Sequence, residues 1–334
     1  MISIENAIMW ADRVGEEGFD NVVEKYGINT ETLSRYLRRA KQHGSEQAME
    51  ELKEAVMSSP EHSTSTWADG PKVLSIDIET LPAEAYVWGC GKQYVGHKQI
   101  VKGKDWSLLS FAAKWMCGNE IFGDVLDPYQ AMHRDDSMLA EQLWPLLDEA
   151  DIIIAHNGDK FDVRKINSRL IANGFLAPPS TYQTIDTLIE SRKVFAHTSH
   201  TQDYLTKLFK LPEKLKTEYE LWIACASGDQ ESLDRMFKYN KGDIQGLEEL
   251  YFKIRPWMRK HPNFGLYYDE DHMSRCPKCG TTDIFWGNGV NDYYYTPMGR
   301  YRTFRCNDCG SIGRDRLTDI TKLERQVLVS TVAR

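Results

Sequence analysis

Four of the seven cysteines fall into two C-x-x-C pairs, Cys276/Cys279 and Cys306/Cys309, each followed directly by glycine. No other local pattern in the chain restricts its fold as strongly. Four thiolates at this spacing close a tetrahedral shell around one soft dication, which selects a structural Zn²⁺. The stretch between the pairs, "DIFWGNGVNDYYYTPMGRYRTFR", alternates aromatic and polar residues in the manner of a hairpin. The region is locally basic, with Arg275, Lys278, Arg300, Arg302, Arg305, Arg314 and Arg316. Contact with nucleic acid is therefore expected there. Cys90, Cys117 and Cys225 fit no ligand pattern and read as packed thiols.

Two polar stretches, Ser58 to Pro71 and Lys260 to Met273, read as linkers. They divide the 334 residues into a helical module (1–57), a linker (58–71), a central domain (72–259), a second linker (260–273), a zinc ribbon (274–316) and a tail (317–334). Hydrophobic residues at 41% and charged residues at 27% exclude wholesale disorder. No apolar run approaches the roughly 18–20 residues of a membrane span, and the polar N-terminus lacks the pattern of a secretion signal. A cytoplasmic location is the resulting expectation. The 49 acids outnumber 41 Lys and Arg, a net charge of −8. That balance argues against a surface that grips nucleic acid everywhere, while leaving room for local basic patches.

Within the first module, "FDNVVEKYGINTETLSRYLRRAKQ" reads as helix, turn, helix, with Arg35, Arg38, Arg39 and Lys41 on the second helix. Such a helix could enter the major groove of duplex DNA, or the module could be a small bundle that docks on protein. In the central piece, "KVLSIDIET" alternates with the period of a strand. Trp106 to Trp115 and Asn119 to Asp127 read as two more strands, joined by a Cys117-Gly118 turn. A helix over Asp136 to Ala150 follows. "DIIIAHN" then reads as a buried parallel strand, Lys160 to Asn173 as a helix, and Tyr182 to Asp186 as a strand; helix predominates as far as Met258. The fold class is therefore α/β, and this element order is that of a ribonuclease H-like core: a mixed sheet flanked by helices.

Asp77 and Glu79 stand two apart on the first strand, so both carboxylates leave one face near its end. Paired carboxylates repel unless a cation lies between them, and hard divalent ions prefer oxygen ligands. A turn that happens to end D-x-E would look the same in isolation. Downstream, Asn157 ends a strand, with Phe161 and Asp162 opening the next helix; Tyr239 and Asp243 stand four apart on a later helix, on one face. D-x-E, N-x-x-x-F-D and Y-x-x-x-D, in this order and on these elements, resemble the three motifs of the DEDD superfamily of 3′–5′ exonucleases. The match is to the tyrosine variant, found in the proofreading domains of DNA polymerases. Similarity extends to predicted bacteriophage exonucleases through "AYVWG", "SFAAKW", "YNKGDIQGLEELY" and the terminal ribbon, over Lys72 to Arg316.

The resemblance implies two Mg²⁺ or Mn²⁺ ions about 4 Å apart that hydrolyse phosphodiester bonds from a 3′ end, releasing 5′-mononucleotides. Asp77, Glu79 and Asp243 would surround one ion, and Asp77 would bridge to the second with Asp162 helping through water. Tyr239 would position the attacking water, and Asn157 and Phe161 would shape the pocket for the terminal nucleotide. Single-stranded DNA 3′ ends are the implied partner, with replication or recombination proteins as further partners and the host bacterial cytoplasm as the setting. Three rivals stand beside this reading: an exoribonuclease, since the motifs do not encode the sugar; a DNA-binding regulator with a non-catalytic core; and a transposase- or resolvase-like endonuclease, which shares the fold but matches D-x-E and Y-x-x-x-D less well. Three features stay open. Asp186 suits a supporting role better than ligation. Tyr86, Trp88 and Tyr94, interleaved with Lys92, Lys98, Lys102 and Lys104, read either as a single-strand platform or as a solvated loop with buried anchors. His197 and His200 read as loop or substrate-contact residues.

Overall fold

The strand β1 (Val73–Leu81) is buried on both faces over Val73–Ile76 and paired along both edges, which places it at the centre of a sheet and not at its edge. The computed structural model describes residues 70–89, 91–116, 118–211, 217–268, 273–287 and 292–329; the expected helix-turn-helix, Cys90 and Cys117 lie outside them. β1 pairs antiparallel with β2 (Ser107–Trp115), which pairs antiparallel with β3 (Phe122–Val125). On its other side β1 runs parallel to β4 (Ile152–Ala155), and β4 runs parallel to β5 (Gln183–Asp186). The strand order is β3-β2-β1-β4-β5. This mixed sheet flanked by helices is compatible with a ribonuclease H-like core.

Seven helices accompany the sheet among the described residues: α1 (Pro128–His133), α2 (Ser137–Glu149), α3 (Asp162–Ala172), α4 (Thr187–Val194), α5 (Gln202–Leu208), α6 (Tyr219–Ala226) and α7 (Gln230–Ile254). The period of two along β1 sends its residues into two different cores. Leu74, Ile76 and Ile78 join Leu139, Leu143 and Leu147 of α2 and Ile166 and Leu170 of α3. Val73 joins Ile152, Ile154 and Ile185 with Ile244, Leu247, Leu250 and Tyr251 of α7. The long helix α7 is thus laid across the face that carries the odd-numbered residues of β1. The third strand is shorter than the sequence suggests, because only Phe122–Val125 finds partners on β2.

One buried carboxylate ties three elements together. Asp136, fully buried, accepts two bonds from Arg169 (2.6 and 2.8 Å), one from Asn173 Nδ2 (2.8 Å) and one from the Leu108 amide (2.8 Å). Removing one member of such a set strands the rest. Asp136→Ala is expected to destabilise the protein by about 3–5 kcal/mol, read from the midpoint of urea unfolding.

The C-terminal module is built on β8 (Gly299–Cys306), flanked by β6 (Ile284–Trp286), β7 (Tyr293–Thr296) and β9 (Ile312–Arg314). It is not strung from the core by an open tether. Within the segment read as a linker, Phe264 is buried in the α7 core, and its amide donates to the carbonyl of Pro277 (2.8 Å). The tail likewise folds back: Arg300 pairs with Asp319 at 3.2 Å, ahead of a short helix α8 (Lys322–Gln326).

Candidate metal centres

Asp77 and Glu79 leave β1 on the side covered by α7, opposite Ala112 and Ser110 of β2. The β1–β2 register shifts between Glu79 and Thr80, an irregularity of the kind that re-aims a side chain beside a functional site. From α7, Asp243 comes down onto the same spot, almost fully buried. Asp77, Glu79 and Asp243 each bring a carboxylate oxygen to within 4.8 Å of the others. Oxygen donors of this charge and spacing fit a hard divalent cation.

The surrounding groups fix these carboxylates. Asn240, one helical turn before Asp243 and fully buried, donates through Nδ2 to Asp77 Oδ2 (2.6 Å). The Asn240 carbonyl oxygen accepts from the Ser110 hydroxyl (3.0 Å), which fixes the orientation of the amide. Glu79 accepts from the indole N–H of Trp222 on α6 (3.2 Å). That indole meets the ring of Tyr239 edge-on, with centroids 6.3 Å apart. Gln202 of α5 donates to the carbonyl oxygen of Asp243 (2.7 Å) and so holds the backbone there.

Asp162, buried at the start of α3, accepts from the amide of Ile78, between the two acids of β1 (3.1 Å). It therefore adjoins the three-carboxylate group through the backbone. Asn157 adopts a positive φ of 69°, a conformation asparagine tolerates better than most residues. Its amide donates to Asp186 Oδ1 (3.0 Å), and its carbonyl accepts from the amides of Lys160 and Phe161. Phe161 is left partly exposed beside Asp162.

With this geometry in view, likeness to known proteins becomes informative. No family model matches the chain. Over 115 residues it is 29% identical to the DNA polymerase III PolC-type of Ureaplasma parvum serovar 3 (strain ATCC 700970). Part of the chain resembles a DNA polymerase. The aligned stretch is 34% of this chain and 8% of that protein, so the chain corresponds to a small part of it.

Asp186 has a structural task. It caps α4 through the Ile189 amide (3.0 Å) and also accepts from Asn157 and Asp159; burial raises its pKa despite these bonds. His200 bonds Ser191 (2.8 Å), and His197 lies among Phe195, Phe209 and His200. Asn240 and Trp222 are supports that sequence reasoning missed. Asn240 sits within the Y-x-x-x-D motif and could have been suspected from that place; Trp222 carries no sequence signal.

The second centre is the cysteine cluster. Cys276, Cys279, Cys306 and Cys309 bring their sulfurs within 4.8 Å of one another, with contacts of 3.7 Å (Cys276 to Cys309) and 3.4 Å (Cys279 to Cys306). A tetrahedron with metal–sulfur bonds of about 2.3 Å has edges of about 3.8 Å, close to these separations. The two knuckles repeat one hydrogen-bond scheme. The Cys276 amide donates to Thr281 O and the Gly280 amide to Cys276 O; the Cys306 and Gly310 amides do the same with Ser311 O and Cys306 O. Gly280 and Gly310 have φ of 78° and 75°, left-handed turns that favour glycine. Hydrogen bonds from Cys276 and Cys279 hold the Cys309 thiol well below its usual range, while Cys279 is driven up by its bonds to Cys276 and Cys309. Four sulfurs at these separations are a donor set suited to a single dication.

Among the described residues, no helix is long and apolar enough to cross a membrane.

Proposed function

We propose that the chain is a metal-dependent 3′–5′ exonuclease acting on DNA, with its centre at Asp77, Glu79, Asp162 and Asp243. The observation that carries this reading is the convergence of Asp77, Glu79 and Asp243 from β1 and α7 to within 4.8 Å. The likeness of part of the chain to a DNA polymerase favours DNA over RNA. Mg²⁺ or Mn²⁺ held there would neutralise the scissile phosphate, activate a water and stabilise the departing oxygen.

The chain's own residues do the positioning. Asn240 and Trp222 orient Asp77 and Glu79 before any substrate arrives, so no reorganisation is needed at the moment of reaction. Tyr239, its ring set against Trp222, would orient the attacking water through its hydroxyl. A phenol hydroxyl suits orientation of a water better than proton removal. Asp162 fixes the strand between the two acids, and Asn157 and Phe161 receive the terminal nucleotide. A Zn²⁺ on the four cysteines would be structural, and the basic ribbon would contact nucleic acid outside the centre.

The test is direct. The full chain is incubated with Mg²⁺ or Mn²⁺ and 5′-labelled single-stranded DNA, duplex DNA or RNA, beside Asp77→Ala. A stepwise ladder on DNA that disappears in the variant is the expected result. Absence of cleavage of every substrate with both ions would overturn the proposal, and a ladder on RNA alone would reassign the substrate.

A further inference from the structure

The segment that joins β1 to β2 is neither a floppy loop nor a buried one. Its two limbs pair with each other: the Glu84 amide donates to Lys104 O (2.9 Å), the Val101 amide to Glu84 O (2.8 Å) and the Tyr86 amide to Gln99 O (3.0 Å), with a bridge between Ala85 and Ile100. Arg134, at the end of α1, clamps the base through Glu84 (2.9 Å), and Lys104 bonds the carbonyl of Met132 (2.9 Å). The result is a braced arm.

Beyond that base the rings point into solvent. Tyr86 is 78% exposed, Tyr94 93% and Trp88 fully so. Those exposures remove the reading in which these aromatics anchor a loop in the core. Exposed Lys92, Lys98 and Lys102 lie between and after them, and no ion pair occupies these three lysines among the described residues. Of the two acids in the arm, Glu84 is already engaged by Arg134 and Lys104. In a chain of net charge −8, the arm is an outward-facing cationic and aromatic element.

A track joins it to the acid centre. Phe161 adjoins Asp162; Lys165 lies 5.7 Å from the Phe161 ring and 3.5 Å from the ring of Trp106. Trp106 stands at the foot of the arm, directly before β2. Trp88 stands nine positions after Glu79, so it lies within about 32 Å of the acids even if the chain were fully extended, within reach of one strand.

We propose that this arm binds the single strand of nucleic acid that leads into the acid centre, stacking bases on Trp88, Tyr94 and Tyr86 and pairing phosphates with Lys92, Lys98 and Lys102. Alternating cations and bare ring faces match a polyanion of stackable bases, tolerant of sequence. The proposal rests on the exonuclease reading only for which end of the strand lies at the acids.

The experiment measures anisotropy of a fluorescein-labelled oligothymidylate, with no added divalent ion, against the full chain and three variants. Trp88→Ala with Tyr94→Ala is expected to weaken binding by about 10-fold or more, and Trp88→Phe with Tyr94→Phe to restore most of it. Replacing Lys92, Lys98 and Lys102 by alanine should flatten the log–log salt slope by about 2. Because these side chains are exposed, melting temperatures should stay at the parent value. Hydrolysis of thymidine 5′-(p-nitrophenyl phosphate), too small to reach the arm, should be unchanged in the same variants. Unchanged oligonucleotide affinity would overturn the proposal and give the arm to a protein partner. Loss of affinity with no hydrolysis of the small ester by the parent would support the arm's role and overturn the exonuclease reading instead.

Discussion

Asp243→Asn is expected to abolish hydrolysis while leaving the metal-free protein as stable as the parent or more so. Three carboxylates within 4.8 Å repel one another, by about 3 kcal/mol per pair at an effective dielectric of ~20. Asparagine keeps the volume and removes one charge, which relieves two of the three pairs. Each kcal/mol recovered shifts the melting temperature by about 2–4 °C in a chain of this size. A divalent ion reverses the balance: it stabilises the parent in proportion to its binding and does little for the variant. The measurement is a pair of thermal melts, with and without Mn²⁺, beside the activity assay. Activity should fall by about 10³-fold or more, the scale of losing a group that stabilises transition-state charge. A parent melting temperature that does not respond to Mn²⁺ or Mg²⁺ would mean that the acids hold no ion.

The way the site is built explains which of its residues could be read from the chain. Asp77 and Glu79 were legible because a strand's period of two puts them on one face, and Tyr239 and Asp243 because a helix's near-period of four does the same. Both signals are local. Convergence of the two pairs is not local, and the sheet order that lays α7 over the end of β1 emerged only from the pattern of elements. Asn240 and Trp222 were missed because a buried amide and an indole N–H gain meaning only once their acceptors are in place. Phe264 was missed for a different reason. Pro262, Asn263 and Gly265 around it give the composition of a linker, and a single aromatic has no periodicity to reveal that it is buried. The arm is the converse case: its rings looked equally suited to burial or display, and only their exposure separated the two.

If the four cysteines hold Zn²⁺ as proposed, disrupting that site by chelation or by Cys306→Ser is expected to unfold the ribbon and to loosen the end of α7. Among the described residues, the ribbon's apolar interior beyond the cysteines is small, with Phe304 against Trp286. Its buried cluster consists of Cys276, Cys279 and Cys306, with Ile284 and Cys309 against it. Binding of a structural Zn²⁺ is worth about 10–16 kcal/mol in comparable small sites, so without such an ion these strands would have little to hold them together. The consequence does not stop at the ribbon. Lys278, between the first two cysteines, donates to the carbonyls of Pro256 (2.7 Å) and Met258 (2.8 Å), just beyond α7. Burial lowers the Lys278 pKa, while the charges of Cys309 and Cys276 pull it back up. Losing the knuckle withdraws this cation from carbonyls at the negative end of the helix and frees the Pro277 contact with Phe264. The core should therefore stay folded, with a melting temperature lower by a few °C, as expected for the loss of one or two such interactions. Limited proteolysis should cut first within 273–316, and metal analysis of the intact protein should return one zinc per chain. If chelation leaves those residues resistant to protease, the strands are held by packing and not by the ion. The acid centre lies about three turns back along α7 from the docked end, so hydrolysis of the small ester should fall far less than ribbon integrity. Activity on long strands should suffer more, because the basic ribbon would no longer be held against the core.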